Sequence, residues 1–443
     1  MIFAIESLGE PQYLSPLGLS NTFGDDHCNY VSDEQKLQYN VFQLDGMLDS
    51  DQIPNYNDLA FEVAGPREKL FFDPQKTTCA IVTCGGLCPG INNVIRSVVM
   101  ELFYRYGVRK ILGIRYGYAG LNPKIGHELL MLTPETAGHI HHWGGTILGS
   151  SRGNQDPALM ADELEKLGVN ILFCVGGDGT QRGAHEICTV LKRRGKKIAV
   201  VGIPKTIDND ILHIEKSFGF ETAFSKACEA IEAAHVEAIG AWNGIGIVKL
   251  MGRHSGFIAA SAALAVSEVN FVLIPELPFD LKGQNGFLQA LQNRLEKRHH
   301  AVVVIAEGAA QEYFSSASGY DLSGNKVLND SGLFIKSQIS AYMQAHNIPV
   351  TIKYIDPSYI IRSVPAIPSD ALFCQNLGQN AVHAGMAGKT DLLVGWRSNA
   401  FIHVPLDAII NKRKTINIES PFWLSVLAAT GQPQSMVHSP RLF

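Results

Sequence analysis

The sequence lacks long apolar runs, an excess of one charge and any cysteine spacing typical of a metal site. Its 37 Lys and Arg face 42 Asp and Glu, which gives a formal net charge of −5. The two signs are mixed along the chain, so nothing favours nucleic acid or an anionic membrane as a partner. No apolar stretch reaches the length of a membrane-spanning helix, and the first residues lack the basic region of a secretory signal.

The eight cysteines also lack a CxxC or zinc-ribbon pattern. Several lie inside apolar runs, among them Cys79, Cys174 and Cys188, where a free thiol acts as a small apolar side chain. This usage favours a reducing compartment and predicts a cytoplasmic protein. With 443 residues, 46% of them hydrophobic, the chain can bury more than one core, so we expect two domains.

Strand and helix patterns alternate from about residue 76 onward. Short apolar runs at 78–83, 110–114, 171–176 and 197–204 are separated by amphipathic segments. Such alternation predicts right-handed strand–helix–strand units and parallel sheets. Residues 1–75 have no clear periodicity and several Pro and Gly, and we interpret them as an extension wrapped over the body.

The segment 171–180 joins a buried-strand pattern to the turn Gly176-Gly-Asp-Gly-Thr180. A helical pattern follows, so the glycines lie where α/β sheets bind ligands. Glycine lets the backbone approach phosphates, and Asp178 is placed to hold a Mg²⁺ that bridges phosphate oxygens. Taken alone, the turn is explained equally well as a tight connection in which Asp178 caps the helix.

Further polar, glycine-bearing clusters end other predicted strands and should gather at one edge of each sheet. They are Gly85-Gly86, Gly149–Gly153, Thr206–Asp210, Met251–His254 and Ala306–Gly308. One such cluster is easily explained as a structural turn. Together with Gly176–Thr180 there are six in order, which indicates a site for a phosphorylated ligand.

In this order the motifs closely resemble those of the 6-phosphofructokinase family. The matching stretches are Thr83–Asn93, Gly145–Arg152, Gly176–Gly183, Pro204–Asp210, Lys249–Arg253 and Tyr354–Arg362, which span roughly residues 78–390. Lys205, the long N-terminal extension and Tyr359 are similar to the subgroup found in plants and trypanosomatids.

The resemblance implies an α/β fold with two Rossmann-like three-layer domains, mainly parallel sheets and an active site in the cleft between the domains. An ATP-binding domain is expected at 76–220 plus 361–410. A fructose 6-phosphate-binding domain is expected at 221–360, and 411–443 follow it as a C-terminal segment.

The resemblance also implies the chemistry, an ATP:D-fructose-6-phosphate 1-phosphotransferase that makes fructose 1,6-bisphosphate in glycolysis. Asp208 is expected to be the general base for the 1-hydroxyl, with Asp210 tuning its pKa, and Thr206 and Arg253 complete the catalytic set. An Asx-rich turn would explain Thr206–Asp210 if the motif stood alone.

The expected fructose 6-phosphate contacts come from several loops. They are Thr206, Ile207, Asp208, Met251, Gly252, Arg253, Glu307, Lys353, Tyr359 and Arg362. By resemblance, Lys353 reaches the sugar phosphate of a neighbouring subunit in a homodimer or homotetramer. Gly244 stands where the family usually has a second cross-subunit arginine.

The expected donor contacts are Gly86, Arg152, Gly153, Gly177, Asp178, Gly179, Thr180 and Gly183, with Mg²⁺ on Asp178 as cofactor. Gly179 decides the donor, because pyrophosphate-using relatives carry Asp there and that carboxylate would repel an α-phosphate. Lys205 points the other way, since it is also a feature of pyrophosphate enzymes. An extra cation excludes no donor, so we predict ATP.

Other interpretations remain open. A pyrophosphate-dependent phosphotransferase is the main alternative. The lipid-kinase and NAD-kinase group shares the Gly176–Thr180 turn, but it does not need the other motifs. A catalytically silent sugar-phosphate sensor is also conceivable, although Asp208 is present. The basic run Lys412–Lys414 is better explained as solvated charge than as an effector phosphate site; family membership nonetheless implies an allosteric enzyme.

Overall fold

The computed structural model describes residues 3–39, 59–314, 319 and 327–438. Backbone contacts divide the chain into two compact units. The first comprises Met1–Thr206, Ile211–Gly219 and Val364–Lys412, and the second comprises Ile207–Asp210, Phe220–Ser363 and Arg413–Phe443. Each unit is a layered α/β body.

The chain passes between units after Gly219, Ser363 and Lys412, and Ile207–Asp210 groups with the second unit. The predicted domain bounds near 220, 361 and 411 stay a prediction. The predicted cleft between the domains stays a prediction.

The strands, in chain order, are β1 Glu6–Ser7, β2 Tyr13–Leu14, β3 Lys36–Gln38, β4 Ala60–Val63, β5 Lys69–Leu70, β6 Thr78–Thr83, β7 Lys110–Ile114, β8 Leu130–Met131, β9 Ile171–Gly176, β10 Ala199–Pro204, β11 Gly244–Leu250, β12 Phe271–Leu273, β13 His300–Ala306, β14 Thr351–Ile355, β15 Lys389–Thr390, β16 Leu392–Arg397 and β17 Ala400–Pro405.

The α-helices are α1 Ile91–Met100, α2 Pro134–Ala137, α3 Pro157–Lys166, α4 Asp178–Arg193, α5 Phe220–Ile239, α6 Phe257–Val266, α7 Phe287–Arg298, α8 Ser331–Ala345, α9 Ile360–Ser363, α10 Pro368–Met386, α11 Leu406–Ile409 and α12 Pro421–Thr430. A π-helix, Glu101–Tyr106, continues α1.

The first unit is built on a sheet with the strand order β3-β4-β17-β16-β10-β9-β6-β7-β8. The pairings from β16 to β7 are parallel, and antiparallel strands flank them on both sides. Every residue of β6, β9 and β10 is buried. These strands are covered on both faces, as their continuous apolar runs predict.

The described part of the predicted extension adds its strands to the first unit. β4 pairs with β17 and β3 pairs with β4, both antiparallel. A buried charge cluster holds this edge: Glu62 accepts hydrogen bonds from Arg67 at 2.9 Å and Lys389 at 3.3 Å, and it lies 3.0 Å from His403. These contacts lower the pKa of Glu62 to about 2 despite burial, so the carboxylate is ionised.

The second unit is built on a wholly parallel sheet with the order β12-β13-β11-β14. Its core packs sheet residues such as Ile247 and Val303 against helical residues such as Leu291 and Ile339. Among the described residues, no helix is both long and apolar enough to cross a membrane.

Candidate active site

The glycine-rich motifs of the first unit follow three adjacent parallel strands. β9 lies between β6 and β10, with Val175 opposite Thr83 and Gly176 opposite Pro204. The turns after these strands therefore lie side by side at the carboxyl edge of the sheet. This edge is where open α/β sheets bind ligands.

The predicted donor loops around Gly86 and Arg152 are hydrogen-bonded to each other. The backbone N–H of Gly85 donates to Ser151 O at 3.0 Å, and Ser150 Oγ donates to Gly85 O at 2.6 Å. Gly85 has a φ of 86°, a conformation that favours glycine. The two loops therefore form one continuous backbone surface, and Arg152 and Gly153 directly follow the hydrogen-bonded residues Ser150 and Ser151.

The turn after β9 opens directly into α4. Gly177 is the N-terminal cap residue of α4, and its carbonyl accepts the backbone N–H of Thr180 at 2.9 Å. The free N–H groups of a first helical turn, together with the helix dipole, favour phosphate. Gly177, Gly179 and Thr180 belong to this turn, and their contact with a nucleotide stays a prediction.

Asp178 is the first residue of α4, and its side chain is 21% exposed and 3.2 Å from Arg182 Nη2. In the described part of the chain, no three His, Cys, Asp or Glu side chains gather as a metal site. Mg²⁺ is commonly held by one or two carboxylates together with the phosphates of a substrate. A single carboxylate at a turn predicted to bind phosphate fits a metal that is carried by the donor.

The glycines of this turn differ in the space beside them. A Cβ atom at Gly179 would meet no protein atom within 4 Å, whereas one at Gly176 would overlap the side chain of Thr180. A Cβ at Gly183 would lie 2.6 Å from the ring of Tyr118. Gly176 and Gly183 therefore permit close packing, and Gly179 faces open space; the donor contact expected of Gly183 stays a prediction.

Lys205 follows β10 and is buried, with 5% of its surface exposed. Its Nζ donates to the carbonyl of Gly86 at 2.8 Å. The ammonium group therefore lies against the backbone of a predicted donor loop. This is the position from which it could contact a phosphate of either donor.

The second unit repeats the pattern with β11, β13 and β14. Leu250 lies opposite Ala306, and Val248 lies opposite Ile355. The segments that start at Met251, Glu307 and Asp356 therefore leave the same edge of this sheet. The expected sugar-binding residues Met251, Gly252, Arg253 and Glu307 belong to them.

Two glycines let the first two of these segments cross closely. The N–H of Gly308 donates to Gly252 O at 3.0 Å, and a Cβ at Gly308 would overlap the Arg253 carbonyl. Gly252 has a φ of 126°. The backbone of Arg253 and Glu307 is fixed by this crossing.

The carboxylate of Asp208 lies in the same cluster. The backbone carbonyl of Asp208 accepts a hydrogen bond from Ser255 Oγ at 3.0 Å. Burial raises the pKa of the Asp208 carboxyl well above its usual range, and the charges of Asp210 and Glu307 add to the rise. The backbone N–H of Arg253 and the charge of Arg413 oppose it. The pKa of the carboxyl that the sequence predicts to be the general base is therefore set by burial and by these neighbours.

The division between units runs through the motif that carries this residue. Thr206 ends one unit, and its carbonyl accepts Ser217 Oγ at 2.7 Å, whereas the buried Ile207 begins the other. Asn209 has a φ of 54°, so the motif does contain the tight turn that Asx residues favour.

Burial also raises the pKa of Glu307, while Arg253, Lys249 and Arg362 lower it and Asp356 raises it. Both acidic and cationic groups therefore act on the carboxylate expected to bind sugar hydroxyls. Three cations lie near this carboxylate, and their contact with a sugar phosphate stays a prediction.

Tyr359 and Arg362 lie together at the start of α9. The Arg362 guanidinium lies 4.8 Å from the centre of the Tyr359 ring, which is 74% exposed. Lys353 has a different surrounding within the single chain. It is on the edge strand β14, opposite Gly246 of β11, and its Nζ lies 3.1 Å from a carboxylate oxygen of Glu237.

Sequence reasoning missed two basic residues of this cluster. Lys249 Nζ lies 2.6 Å from Asp356 and 3.2 Å from Asp330, which ties the segment after β14 to β11. Arg413 pairs with Asp210 at 2.7 Å. Lys249 could have been found from its place in Lys249–Arg253 at a strand end, but Arg413 had no local signal beyond its charge.

The phosphofructokinase family profile matches residues 78–385 of this chain. The chain is 49% identical over 441 residues to an ATP-dependent 6-phosphofructokinase from Borreliella burgdorferi, covering 98% of this chain and 97% of that protein. It is 46% identical to an enzyme of the same name from Trypanosoma brucei brucei, covering 84% and 76%. ATP-dependent 6-phosphofructokinase 5 of Arabidopsis thaliana, named as chloroplastic, is also 46% identical, covering 84% and 68%. The predicted resemblance to plant and trypanosomatid enzymes is confirmed.

Solved structures give the same fold. A pyrophosphate-dependent phosphofructokinase from Marinobacter aquaeolei matches with a TM-score of 0.66 at 21% identity, covering 81% of this chain and 92% of that one. Pichia pastoris phosphofructokinase in the T-state matches with a TM-score of 0.63 at 21% identity, covering 80% and 39%. At this identity the likeness concerns the architecture, and the predicted fold class is confirmed.

Proposed function

Because the chain belongs to the phosphofructokinase family, we propose that it transfers the γ-phosphoryl group of ATP to the 1-hydroxyl of D-fructose 6-phosphate. The products are ADP and fructose 1,6-bisphosphate, and the reaction is the phosphorylation step expected in glycolysis. The observation that carries the proposal is the environment of the Asp208 carboxylate. It accepts a hydrogen bond from the backbone N–H of Arg253, and the charge of Glu307 acts on it. Similarity over nearly the whole length of an ATP-dependent relative supports it.

In this proposal Asp208 accepts the proton of the 1-hydroxyl as the new O–P bond forms and the bond to the β-phosphate oxygen breaks. A base with a raised pKa is a better proton acceptor, provided that it is ionised at the working pH. Arg253 supplies positive charge to the migrating phosphoryl group, and its planar guanidinium suits phosphate oxygens. Thr206 and Asp210 complete the motif that carries the base.

We assign the sugar phosphate to the cationic residues at the edge of the second sheet. Arg362 and Tyr359 bind the 6-phosphate end, and Glu307 accepts hydrogen bonds from sugar hydroxyls. Met251 and Ile207 line the sugar. Lys353 is exposed on an edge strand, which suits a contribution to a neighbouring subunit of a homodimer or homotetramer.

We assign the donor to the first unit. Gly86, Arg152, Gly153 and the turn Gly177–Gly183 cradle the phosphates, largely through backbone N–H groups. Asp178 would hold Mg²⁺, which, when bound, neutralises charge on the phosphate oxygens. The proposal thus assigns the donor contacts to the first unit and the sugar-phosphate contacts to the second.

The choice of ATP rests on Gly179. The open space beside its Cα leaves room for an α-phosphate, whereas an aspartate there would place a negative charge in that space. Pyrophosphate is the second candidate donor, because Lys205 Nζ lies against Gly86 in a donor loop. We still favour ATP, since a cation there assists both donors.

A steady-state assay tests the proposal. Purified protein is supplied with fructose 6-phosphate, Mg²⁺ and either ATP or pyrophosphate, and fructose 1,6-bisphosphate is measured through a coupled aldolase reaction. We expect turnover with ATP at least about 100-fold above that with pyrophosphate, the discrimination that a few kcal/mol provides. Turnover with pyrophosphate alone would overturn the choice of donor, and turnover with neither would overturn the proposed function.

The proposed location is the cytoplasm. All eight cysteines are free, and most of them are buried, as expected of a chain that folds in a reducing compartment.

A further inference from the structure

A basic residue of the C-terminal segment lies inside the carboxylate cluster of the second unit. Arg413 Nη1 is 2.7 Å from Asp210 Oδ2, and the backbone N–H of Lys414 donates to Asp210 O at 2.8 Å. We propose that Arg413 is a positioning residue for the reaction: it neutralises and holds Asp210, so that Asp208 is correctly oriented and gives up its proton more readily. The inference rests on the proposed function.

The burial of the pair makes its charge balance matter. The side chain of Asp210 is 10% exposed and that of Arg413 is 32% exposed. A buried carboxylate that loses its partner is costly, and its negative charge acts strongly on a neighbouring acid. Because Asp210 is two positions from Asp208 on the same loop, loss of the guanidinium would strengthen the negative charge that acts on Asp208.

The groups that face Asp208 come from four parts of this unit. Asp210 is on its own loop, Glu307 follows β13, Arg253 follows β11, and Arg413 precedes α12. Burial, Asp210 and Glu307 raise the pKa of Asp208, whereas the backbone of Arg253 and the charge of Arg413 lower it. The strongest acidic neighbour is therefore the residue to which Arg413 is paired.

The segment that carries Arg413 is anchored to the loop that carries Arg253. Glu276 accepts the backbone N–H of Ile416 at 2.9 Å and that of Gly256 at 3.0 Å. Lys414 Nζ lies 5.1 Å from the ring of Phe257, the first residue of α6. The segment that carries Arg413 is thus held by the two residues Lys414 and Ile416 that follow it, which supports a positioning role.

Two substitutions and a control test this role. Arg413→Gln removes the charge while keeping a polar side chain, and Arg413→Lys keeps the charge without the planar fork. Lys412→Gln removes a neighbouring charge from an exposed residue outside the pair. For each variant, kcat and KM for fructose 6-phosphate are measured from pH 5 to 9, and folding is checked by circular dichroism.

For Arg413→Gln we expect the acidic limb of the kcat profile to move to higher pH by about one unit, because removal of a nearby opposite charge raises the pKa of a carboxyl by that order. At the acidic end, kcat should fall about tenfold while KM changes less than about twofold. Since interacting acids titrate as a pair, the shift is an apparent one. Arg413→Lys should restore most of the limb, and Lys412→Gln should leave it unchanged.

Several results would overturn the inference. One is an Arg413→Gln profile that superimposes on the wild-type profile. Another is a shift in Arg413→Lys as large as in Arg413→Gln, which would deny a role for the charge. If Arg413→Gln does not fold, Arg413→Lys decides, since a folded lysine variant with a shifted limb contradicts the proposal and one with the wild-type limb supports it. A wild-type protein that fails to turn over at all would instead refute the proposed function.

Discussion

The two predicted substrate regions are built from different materials. The donor loops of the first unit are mainly backbone, with glycines at Gly85, Gly177 and Gly179 and the single carboxylate of Asp178. The sugar-phosphate region of the second unit is made of charged side chains, in which Asp208 and its acidic neighbours face several cations.

This difference has consequences for mutation. A backbone-built site is sensitive to any added Cβ that fills space and tolerant of changes in distant charge. A site built from interacting charges should respond to a lost charge even where no atom clashes. The expected effects below run from the largest to the smallest.

Asp208→Asn should have the largest effect. The amide cannot accept the proton, so we expect kcat to fall about 1,000-fold, within the usual range for loss of a general base. Binding of fructose 6-phosphate, measured by calorimetry, should stay within a few-fold of wild type. Asp407→Asn, which changes an exposed residue of the first unit, is the matched control. A wild-type kcat in Asp208→Asn would show that Asp208 is not the general base.

Gly179→Asp tests the backbone-built region. A Cβ atom at position 179 meets no protein atom within 4 Å, so the melting temperature should change little, while like-charge repulsion should lower kcat/KM for ATP about 100-fold. Gly176→Ala should instead reduce stability. Its Cβ would overlap the side chain of Thr180, so we expect a loss of about 2 kcal/mol in the free energy of unfolding. Equal ATP use by wild type and Gly179→Asp would show that this space does not hold the donor.

Lys249→Met tests the charged region away from the base. The substitution leaves Asp356 and Asp330 without this cation, and the segment that leads to Tyr359 loses its tie to β11. We expect KM for fructose 6-phosphate to rise about tenfold, the equivalent of one charge-assisted hydrogen bond, with kcat nearly unchanged. Lys226→Met, which breaks a surface pair with Glu229, should change neither; a Lys249→Met enzyme with wild-type KM would contradict the role of this tie.

The pH dependence of the wild type should show the smallest effect. Because the pKa of Asp208 is raised, its ionised form is lost at a higher pH than for an ordinary carboxyl. We therefore expect kcat/KM for fructose 6-phosphate to fall on acidification well before pH 4, after correction for ionisation of the sugar phosphate. A flat profile down to that pH would mean that the cluster does not tune the base.

The donor region could be predicted from the sequence because its signals are local. The run Ile171–Gly176 reads as a doubly buried strand, and Asp178 follows the glycine break that starts α4. The parallel pairing of β6, β9 and β10 is expected from the alternation of strands and helices, whereas their order in the sheet is not.

The rest depends on contacts between distant residues. Arg413 meets Asp210 across 203 positions of sequence, and no local pattern distinguishes it from a solvated charge. The strand β17 pairs antiparallel with β16 and carries the β3–β4 edge. Its alternation is weak because His403 is buried against Glu62, so a polar pair replaces the apolar contact that a pattern would reveal.

The most direct test of the central claim follows the phosphoryl group itself. Wild-type protein is incubated with ATP, Mg²⁺ and fructose 6-phosphate, and the reaction is monitored by ³¹P NMR. The account predicts that ADP and the 1-phosphate resonance of fructose 1,6-bisphosphate appear together in equal amounts. ADP accompanied by inorganic phosphate without the bisphosphate, or no consumption of ATP, would contradict it.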